Sequence, residues 1–266
     1  MSKDIIEDRI LVIDFGSQYT QLIARRVREI GVYCEIYHYK TSLSVIKKFN
    51  PQGIILSGGP ETVKQKGSPK VPDKLFDLGI PILGICYGMQ TIAKQLGGKV
   101  ELAEKREFGQ ADLVLKNLAK GLFKGIKKKS INVWMSHGDH VSRLPKGFKS
   151  CAKSVNSPIA ALFNPDKKIF GLQFHPEVTH TPQGKQILKN FVRDICNCNG
   201  LWNAKNIISK SVEEIREKVG SDKVLLGLSG GVDSAVVAAL LSEAIGDQLT
   251  CVFVDNGLLR LNEGDQ

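Results

Sequence analysis

The sequence predicts an α/β protein with mostly parallel sheets. Short apolar runs, typical of buried strands, alternate with segments of helical periodicity over the first hundred residues. The same alternation returns after residue 223, and 42% of the residues are hydrophobic, which is enough for a packed core. A length of 266 residues exceeds one average domain and falls short of three. We therefore expect two α/β units.

The first unit is predicted from apolar runs that are separated by helix-like segments. Strands are predicted at 9–14, 32–39, 53–56 and 81–85, and helices at 19–30 and 88–96. Strands that alternate with helices indicate a parallel sheet covered on both faces. The pattern becomes β-rich after residue 98 and reaches a last strand at 170–174. A helix at 182–196 closes the unit.

The second unit is predicted from a shorter series of elements. A polar linker at 197–206 precedes it, and its elements are a helix at 212–219, a strand at 223–228, a helix at 235–245 and a strand at 250–255. Two parallel strands leave large apolar faces uncovered. We therefore expect residues 1–200 to form the first domain, and residues 201–266 to hold the linker and an incomplete first part of a second α/β domain.

Composition and charge exclude several classes of protein. No run of 18 apolar residues predicts a membrane span, and the first residues lack the apolar stretch of a signal peptide, so we expect a cytoplasmic protein without a membrane partner. The net charge of +10 arises in residues 1–200 and by itself permits nucleic-acid binding. The basic residues are dispersed without a recognition motif, which favours a solvated surface and no nucleic-acid partner. Six scattered cysteines indicate free thiols.

A cysteine nucleophile is predicted at Cys86. The segment 84–88 reads Gly-Ile-Cys-Tyr-Gly where a predicted strand turns into a helix, and a nucleophile elbow needs small neighbours there. The helix N-terminus beside the thiol favours the thiolate. The amide N–H of Tyr87 would face an oxyanion on the substrate, and Gly58 or Gly59 at the end of the neighbouring strand can supply a second donor. An inert core cysteine is the alternative.

A general base for this thiol is predicted at His175. It follows the last apolar strand of the unit, and Glu177, two residues on, can lie on the same side and orient the imidazole. A plain surface turn is the alternative interpretation of this segment. His137 and Asp139 form a second candidate pair, but the linked glutamate favours His175.

A phosphate-binding loop is predicted at 229–234, which reads Ser-Gly-Gly-Val-Asp-Ser between a predicted strand and a helix. Its glycines let consecutive N–H groups face an anion, its serine hydroxyls can donate, and the helix end adds a positive dipole. Asp233 cannot bind an anion directly, so we assign it to Mg²⁺. The absence of Gly-Lys-Ser/Thr excludes a Walker motif. An ordinary Gly-rich turn is the alternative.

Residues 1–200 resemble the class I, or triad, glutamine amidotransferases, whose fold is flavodoxin-like with a mostly parallel sheet. The resemblance implies a catalytic triad of Cys86, His175 and Glu177. It implies an oxyanion hole at Gly59 and Tyr87. The implied glutamine-binding residues are Gln90, on the helix after the nucleophile, and a loop that consists of Ser136, His137, Gly138 and Asp139.

The loop at 229–234 resembles that of the N-type ATP pyrophosphatases, which have an adenine-nucleotide α-hydrolase-like α/β fold and cleave ATP to AMP and pyrophosphate. The resemblance implies ATP and Mg²⁺ as cofactors, with Asp233 as the metal ligand. The implied ATP-binding residues are Ser229, Gly230, Gly231, Val232, Asp233, Ser234, Ala235 and, at the end of the next strand, Val254.

The order of the two regions resembles the glutamine-hydrolysing GMP synthase family. That resemblance implies glutamine, ATP and XMP as substrates, amination of XMP to GMP, and a homodimer at full length. The family's XMP-binding and dimerisation region lies beyond the start of the second domain, so we expect this chain by itself to make no GMP. A glutaminase component of a different amidotransferase and a non-catalytic relative of the fold are the alternatives.

Overall fold

The structure is a computed structural model that describes residues 4–116, 121–255, 257, 260–262, 264 and 265, apart from the side chain of Glu104. The chain divides into two compact units, Met1–Trp202 and Asn203–Gln266. Within the described residues, every helix is too short or too polar to cross a bilayer.

The first unit contains nine strands and four α-helices among its described residues. The strands are β1 (Arg9–Asp14), β2 (Tyr33–His38), β3 (Gly53–Leu56), β4 (Ile82–Ile85), β5 (Lys99–Leu115), β6 (Ser130–Arg143), β7 (Lys149–Lys153), β8 (Ala161–Asn164) and β9 (Ile169–Leu172). The helices are α1 (Thr20–Glu29), α2 (Leu43–Phe49), α3 (Tyr87–Gln95) and α4 (Gly184–Lys189), the last continued by a π-helical turn, Asn190–Ile195.

The nine strands form one sheet in the order β2-β1-β3-β4-β9-β8-β7-β5-β6. The strands from β2 to β9 in this order pair in parallel, and the remaining pairs are antiparallel. Buried apolar side chains cover the parallel strands in two clusters, so β3, β4 and β9 are apolar throughout. The parallel pairing of β4 with β9 brings the residues that follow both strands to one edge of the sheet.

The predicted strands and helices up to residue 96 are confirmed within two residues at each end. Helix α2 was missed because it has only seven residues, although Ser42 caps it through a bond from the Val45 N–H to Ser42 Oγ at 3.5 Å. Two predictions later in the unit are confirmed within the same margin but differ in detail. The last strand ends at Leu172 instead of residue 174, and the closing helix changes to a π-helical turn at Asn190.

The second unit contains α5 (Ala204–Val219), β10 (Val224–Leu228), α6 (Val232–Ile245) and β11 (Leu249–Phe253), with β10 and β11 paired in parallel. The predicted linker to residue 206 was wrong, because α5 begins at Ala204. Asn203 caps this helix by accepting a bond from the Asn206 N–H at 3.0 Å. The helix predicted from residue 235 begins at Val232, and the strand predicted to residue 255 ends at Phe253.

The buried carboxylate of Glu107 stabilises the long β5–β6 hairpin. The pairing of these strands changes register between Leu102 and Glu107, and Glu107 then lies opposite His137. Its carboxylate accepts bonds from Ser154 Oγ at 2.8 Å and Ser157 Oγ at 2.9 Å, and its Oε2 lies 3.1 Å from His137 Nε2. Burial alone raises the pKa of Glu107, but these three hydrogen bonds outweigh it and lower the pKa to about 2.

We expect Glu107→Gln to lower the free energy of unfolding of the first unit by about 3 kcal/mol at pH 7, because a pKa lowered by about two units corresponds to that much stabilisation of the ionised form. The carboxylate stabilises the fold above its unfolded pKa of about 4.5, and this contribution fades as the pH falls toward 2. The two tryptophans, Trp134 and Trp202, both lie in the first unit, so urea unfolding followed by tryptophan fluorescence measures the effect.

The control is Glu101→Gln on the same strand, whose side chain is solvent-accessible and should leave the unfolding curve nearly unchanged. The difference between the parent protein and Glu107→Gln should shrink between pH 5 and pH 3. A difference of equal size at both pH values would contradict the assignment of the stability to the ionised carboxylate.

Candidate active site

Cys86 lies in a strained turn between β4 and α3. Its backbone has φ 51° and ψ −105°, a conformation that side-chain-bearing residues rarely adopt. A Cβ on Gly84 would lie 2.6 Å from the carbonyl oxygen of Gly88, and one on Gly88 would overlap the carbonyl of Leu56. Both glycines are therefore needed for the strand and the helix to meet this closely, as a nucleophile elbow requires.

Cys86 is 6% exposed, and its thiol contacts Ser136 of β6 and Gln173, which follows β9. Its Sγ lies 3.5 Å from the carbonyl oxygen of Ser136, and the Gln173 Nε2 lies 3.8 Å from the sulfur. The Cys86 N–H donates to the Leu172 carbonyl at 2.7 Å, so the turn is tied to the end of β9. These contacts place the sulfur beside the residues that follow β9.

His175 connects the thiol to Glu177. Its Nδ1 lies 2.7 Å from Glu177 Oε1, and Cys86 is close enough to act on its charge. Burial by itself lowers the pKa of His175, but the hydrogen bonds to Cys86 and Glu177 and their negative charges raise it to about 10. Both neighbours therefore favour the protonated form of the imidazole.

The backbone around the histidine is also held in place. The His175 N–H donates to the Trp134 carbonyl at 3.0 Å, and Thr181 Oγ1 donates to the His175 carbonyl at 2.7 Å. Arg26 on α1 donates from Nε to the Glu177 carbonyl at 2.9 Å. The His-Pro-Glu segment is thus buried and bonded on both sides, which removes the surface-turn alternative.

The two predicted oxyanion donors, Gly59 and Tyr87, line the same cavity as the thiol. Tyr87 is the first residue of α3, and the next N–H, that of Gly88, is bonded to the Ser57 carbonyl at 3.0 Å. A Cβ on Gly59 would lie 3.0 Å from the Phe15 carbonyl oxygen. The 57–59 segment therefore runs close to the elbow, as an oxyanion loop must.

A cavity of about 500 Å³ opens beside the thiol. It brings together all five residues that the sequence predicts to bind glutamine. The residues that line it are Gly59, Pro60, Glu61, Thr62, Lys64, Gln65, Cys86, Tyr87, Gln90, Leu102, Phe108, Ser136, His137, Gly138 and Asp139. The segment 136–139 was predicted as a loop, and this was wrong, because it lies within β6 opposite the register change in β5.

Gln90 joins α3 to this wall of the cavity. Its Nε2 donates to the Asp139 carbonyl at 2.8 Å and lies 3.4 Å from Gln173 Oε1.

The alternative catalytic pair of His137 and Asp139 is not formed. His137 Nε2 is bonded to Glu107. The Asp139 carboxylate accepts a hydrogen bond from Thr62 Oγ1 and forms an ion pair with Lys64.

The predicted phosphate loop of the second unit links β10 to α6. Ser229 Oγ lies 2.9 Å from Ser234 Oγ, which donates to the Ser229 carbonyl at 2.6 Å. Gly231 is the residue before α6, so the N–H groups of the first turn face the loop. Ser229 and Val254 follow two paired strands, since Leu228 lies opposite Phe253 in the register. All of the predicted ATP-binding residues therefore lie at one edge of this short sheet.

The loop offers backbone N–H groups and two hydroxyls, which are the donors that a polyphosphate requires. Asp233 is exposed in the first turn of α6, and no group of three or more His, Cys, Asp or Glu side chains is placed to hold a metal within the described part of the chain. Mg²⁺ is commonly held by one or two carboxylates together with substrate phosphates. Asp233 can therefore supply one ligand to a metal that arrives with a nucleotide.

Five residues around the site were missed by the sequence analysis: Arg26, Thr62, Lys64, Glu107 and Gln173. Their partners lie 30 to 151 residues away along the chain. No local pattern marks such residues, because the strand order alone brings them to the site.

Comparisons with known proteins match each of the two units to a family. The family described as Glutamine amidotransferase class-I matches residues 11–195, and the family described as NAD synthase matches residues 204–255. GMP synthase [glutamine-hydrolyzing] of Hahella chejuensis is 59% identical over 273 residues, which cover 100% of this chain and 52% of that protein. The enzyme of the same name from Acinetobacter baylyi is 59% identical over 98% of this chain and 48% of its own length. The chain spans about half the length of these relatives.

Solved structures support the fold. A Thermoplasma acidophilum protein described as one subunit of a GMP synthase is 32% identical with a TM-score of 0.65, and the match covers 76% of this chain and 98% of that one. A glutamine amidotransferase from Thermotoga maritima is 19% identical with a TM-score of 0.52, over 91% of this chain and 97% of that one, and shows the fold alone. The elbow, the cavity and a family match over most of the chain lead to one conclusion: this chain belongs to the class-I glutamine amidotransferase family.

Proposed function

We propose that the first unit hydrolyses glutamine to glutamate and ammonia, with Cys86 as nucleophile, His175 as general acid and base, and Glu177 as the residue that orients it. The observation that supports this most directly is a buried imidazole that is bonded to a buried carboxylate and lies close to the thiol. The cavity beside the thiol has room for an amino acid, and Gln90 and the residues 136–139 would bind it.

The first half of the reaction forms a thioester. The Cys86 thiolate adds to the carboxamide carbon, and the carbonyl oxygen takes up the negative charge, which the N–H groups of Gly59 and Tyr87 would stabilise. The C–N bond then breaks as protonated His175 gives its proton to the leaving nitrogen, and ammonia is released. The high pKa of His175 keeps that proton in place until the nitrogen becomes basic.

The second half regenerates the thiol. Once the sulfur is part of a thioester, the anionic partner that helps to raise the pKa of His175 is gone, so the imidazole can accept a proton from water. The hydroxide adds to the thioester carbon, the C–S bond breaks, and thiolate and imidazolium are restored. Glutamate leaves, and its new carboxyl group loses a proton to solvent.

We further propose that the ammonia serves the ATP-dependent amination of XMP to GMP, with release of AMP and pyrophosphate. This rests on the names of relatives that are 59% identical and on the phosphate loop, which a separate glutaminase component would not need. ATP would bind the loop at 229–234, and Mg²⁺ would bind at Asp233. The N–H groups of the loop and the hydroxyls of Ser229 and Ser234 would bind and orient the pyrophosphate part of ATP.

The remaining partners follow from the same proposal. We expect the full-length protein to be a cytoplasmic homodimer that takes glutamine, ATP and XMP as its substrates and binds neither nucleic acid nor membrane. A glutaminase component of a different amidotransferase is the second candidate, and the match of residues 204–255 to the NAD synthase family argues against it.

Cys86→Ala is expected to reduce glutamine hydrolysis by about a thousandfold or more, because it removes the nucleophile. His175→Ala should cost nearly as much and Glu177→Ala less, and the double variant Cys86→Ala/His175→Ala should be no worse than Cys86→Ala, since the residues act as a unit. Released ammonia and glutamate are measured together.

Cys251→Ala is the matched control, because that thiol is exposed in the second unit and should leave hydrolysis unchanged. Circular dichroism establishes that each variant is folded. Hydrolysis at the parent rate by folded Cys86→Ala, or a larger loss in Glu177→Ala than in His175→Ala, would refute these catalytic roles.

The phosphate loop is tested by titrating ATP into the chain with and without Mg²⁺ in a calorimeter. Mg²⁺ should tighten ATP binding in the parent. Asp233→Asn should remove most of this increase in affinity, because the carboxylate acts only through the metal. The affinity for ATP without Mg²⁺ should be the same in both proteins. Asp247→Asn, beyond the other end of α6, is the control. An unchanged dependence on Mg²⁺ in Asp233→Asn would overturn the assignment.

A further inference from the structure

An ion pair is present on the wall of the glutamine cavity. Lys64 Nζ lies 3.1 Å from Asp139 Oδ1, and Thr62 Oγ1 donates to the other oxygen of the same carboxylate. The Asp139 side chain is 10% exposed and that of Lys64 is 37% exposed, so the carboxylate is nearly buried while the ammonium can still move.

The two members of the pair are held very differently. Gln90 Nε2 fixes the backbone carbonyl of Asp139 at 2.8 Å, and Thr62 fixes its carboxylate, so Asp139 is anchored at both ends. Lys64 reaches the carboxylate from a flexible four-carbon side chain. A partly exposed ion pair of this kind is weak and can exchange partners readily.

Lys64 is also the sole lysine or arginine among the described residues that line the cavity. The other side chains of fixed charge on that wall are the carboxylates of Glu61 and Asp139. The head group of glutamine carries an α-ammonium and an α-carboxylate. Arg106 lies beside Gly138 but is outside this lining. Without Lys64, the lining would present two carboxylates and no lysine or arginine to the α-carboxylate.

We propose that Lys64 is a specificity-determining residue, which leaves Asp139 when glutamine enters and binds the α-carboxylate, while Asp139 accepts the α-ammonium. One ion pair is thereby replaced by two, and both charges of the glutamine head group are paired in the partly buried cavity. The inference rests on the proposed glutaminase function and adds the residue that selects an amino acid over a simple amide.

The test compares three amides in steady-state hydrolysis by the parent and by Lys64→Met, which keeps the length of the side chain and removes its charge. The amides are glutamine, 4-carbamoylbutanoate, which lacks the α-amine, and 4-aminobutanamide, which lacks the α-carboxylate. Lys64→Met should raise KM at least about tenfold for the first two with kcat nearly unchanged, and should leave kcat/KM for 4-aminobutanamide nearly unchanged.

Two further variants sharpen the comparison. Lys66→Met is the matched control, because Lys66 is exposed two residues away and does not line the cavity. Lys64→Arg should restore part of the affinity for glutamine, since it restores the charge. An unchanged KM for glutamine in Lys64→Met, or an equal loss on all three amides, would overturn the proposal.

A binding measurement separates this inference from the proposed reaction. Glutamine is titrated calorimetrically into Cys86→Ala with and without Lys64→Met, and the second substitution should weaken binding at least about tenfold. If the parent protein bound glutamine without releasing ammonia, the catalytic proposal would fail. The titration would still decide whether Lys64 contributes to glutamine binding. Equal binding by both variants would refute the role of Lys64 alone.

Discussion

The candidate site depends on the parallel pairing of β4 with β9. Ile85 lies opposite Leu172 in this pair, so the next residues of both strands emerge at one sheet edge. Cys86 and His175 are 89 positions apart in the chain, yet they meet there because each follows its strand within three residues. The elbow turns the thiol back toward the histidine, and Gly84 and Gly88 are what permit that turn.

The wall of the cavity that β6 forms is positioned by polar contacts. Strand β6 belongs to the antiparallel part of the sheet, and polar side chains fix its position. Glu107 binds His137 from the neighbouring strand, Gln90 binds the Asp139 carbonyl from α3, and Thr62 binds the Asp139 carboxylate. These hydrogen bonds restrict the wall to one geometry, because a shift would break them and leave a charge or a donor unpaired. This part of the cavity is therefore preorganised before a substrate enters.

The sequence analysis succeeded where one local signal was sufficient. The apolar strands and helices before residue 96 were placed within two residues, and the elbow was recognised from its glycines. It failed where two local structures compete. Ala204 was assigned to a polar linker although Asn203 can cap a helix there. The segment 136–139 was taken for a loop from the family resemblance, and it lies within β6. The roles of the site residues stay predictions until the variants are measured.

By itself, the sequence determined the fold class, the two motifs and the types of chemistry they permit, because glycine spacing, apolar periodicity and a His-Pro-Glu segment are local properties. Only the tertiary structure decided which residues meet. It joined His137 to Glu107 instead of Asp139, and it brought Thr62 and Lys64 to Asp139 across more than seventy residues. The physical reason is that contacts between side chains depend on strand order and register, and one residue of slip would turn each side chain to the opposite face of the sheet.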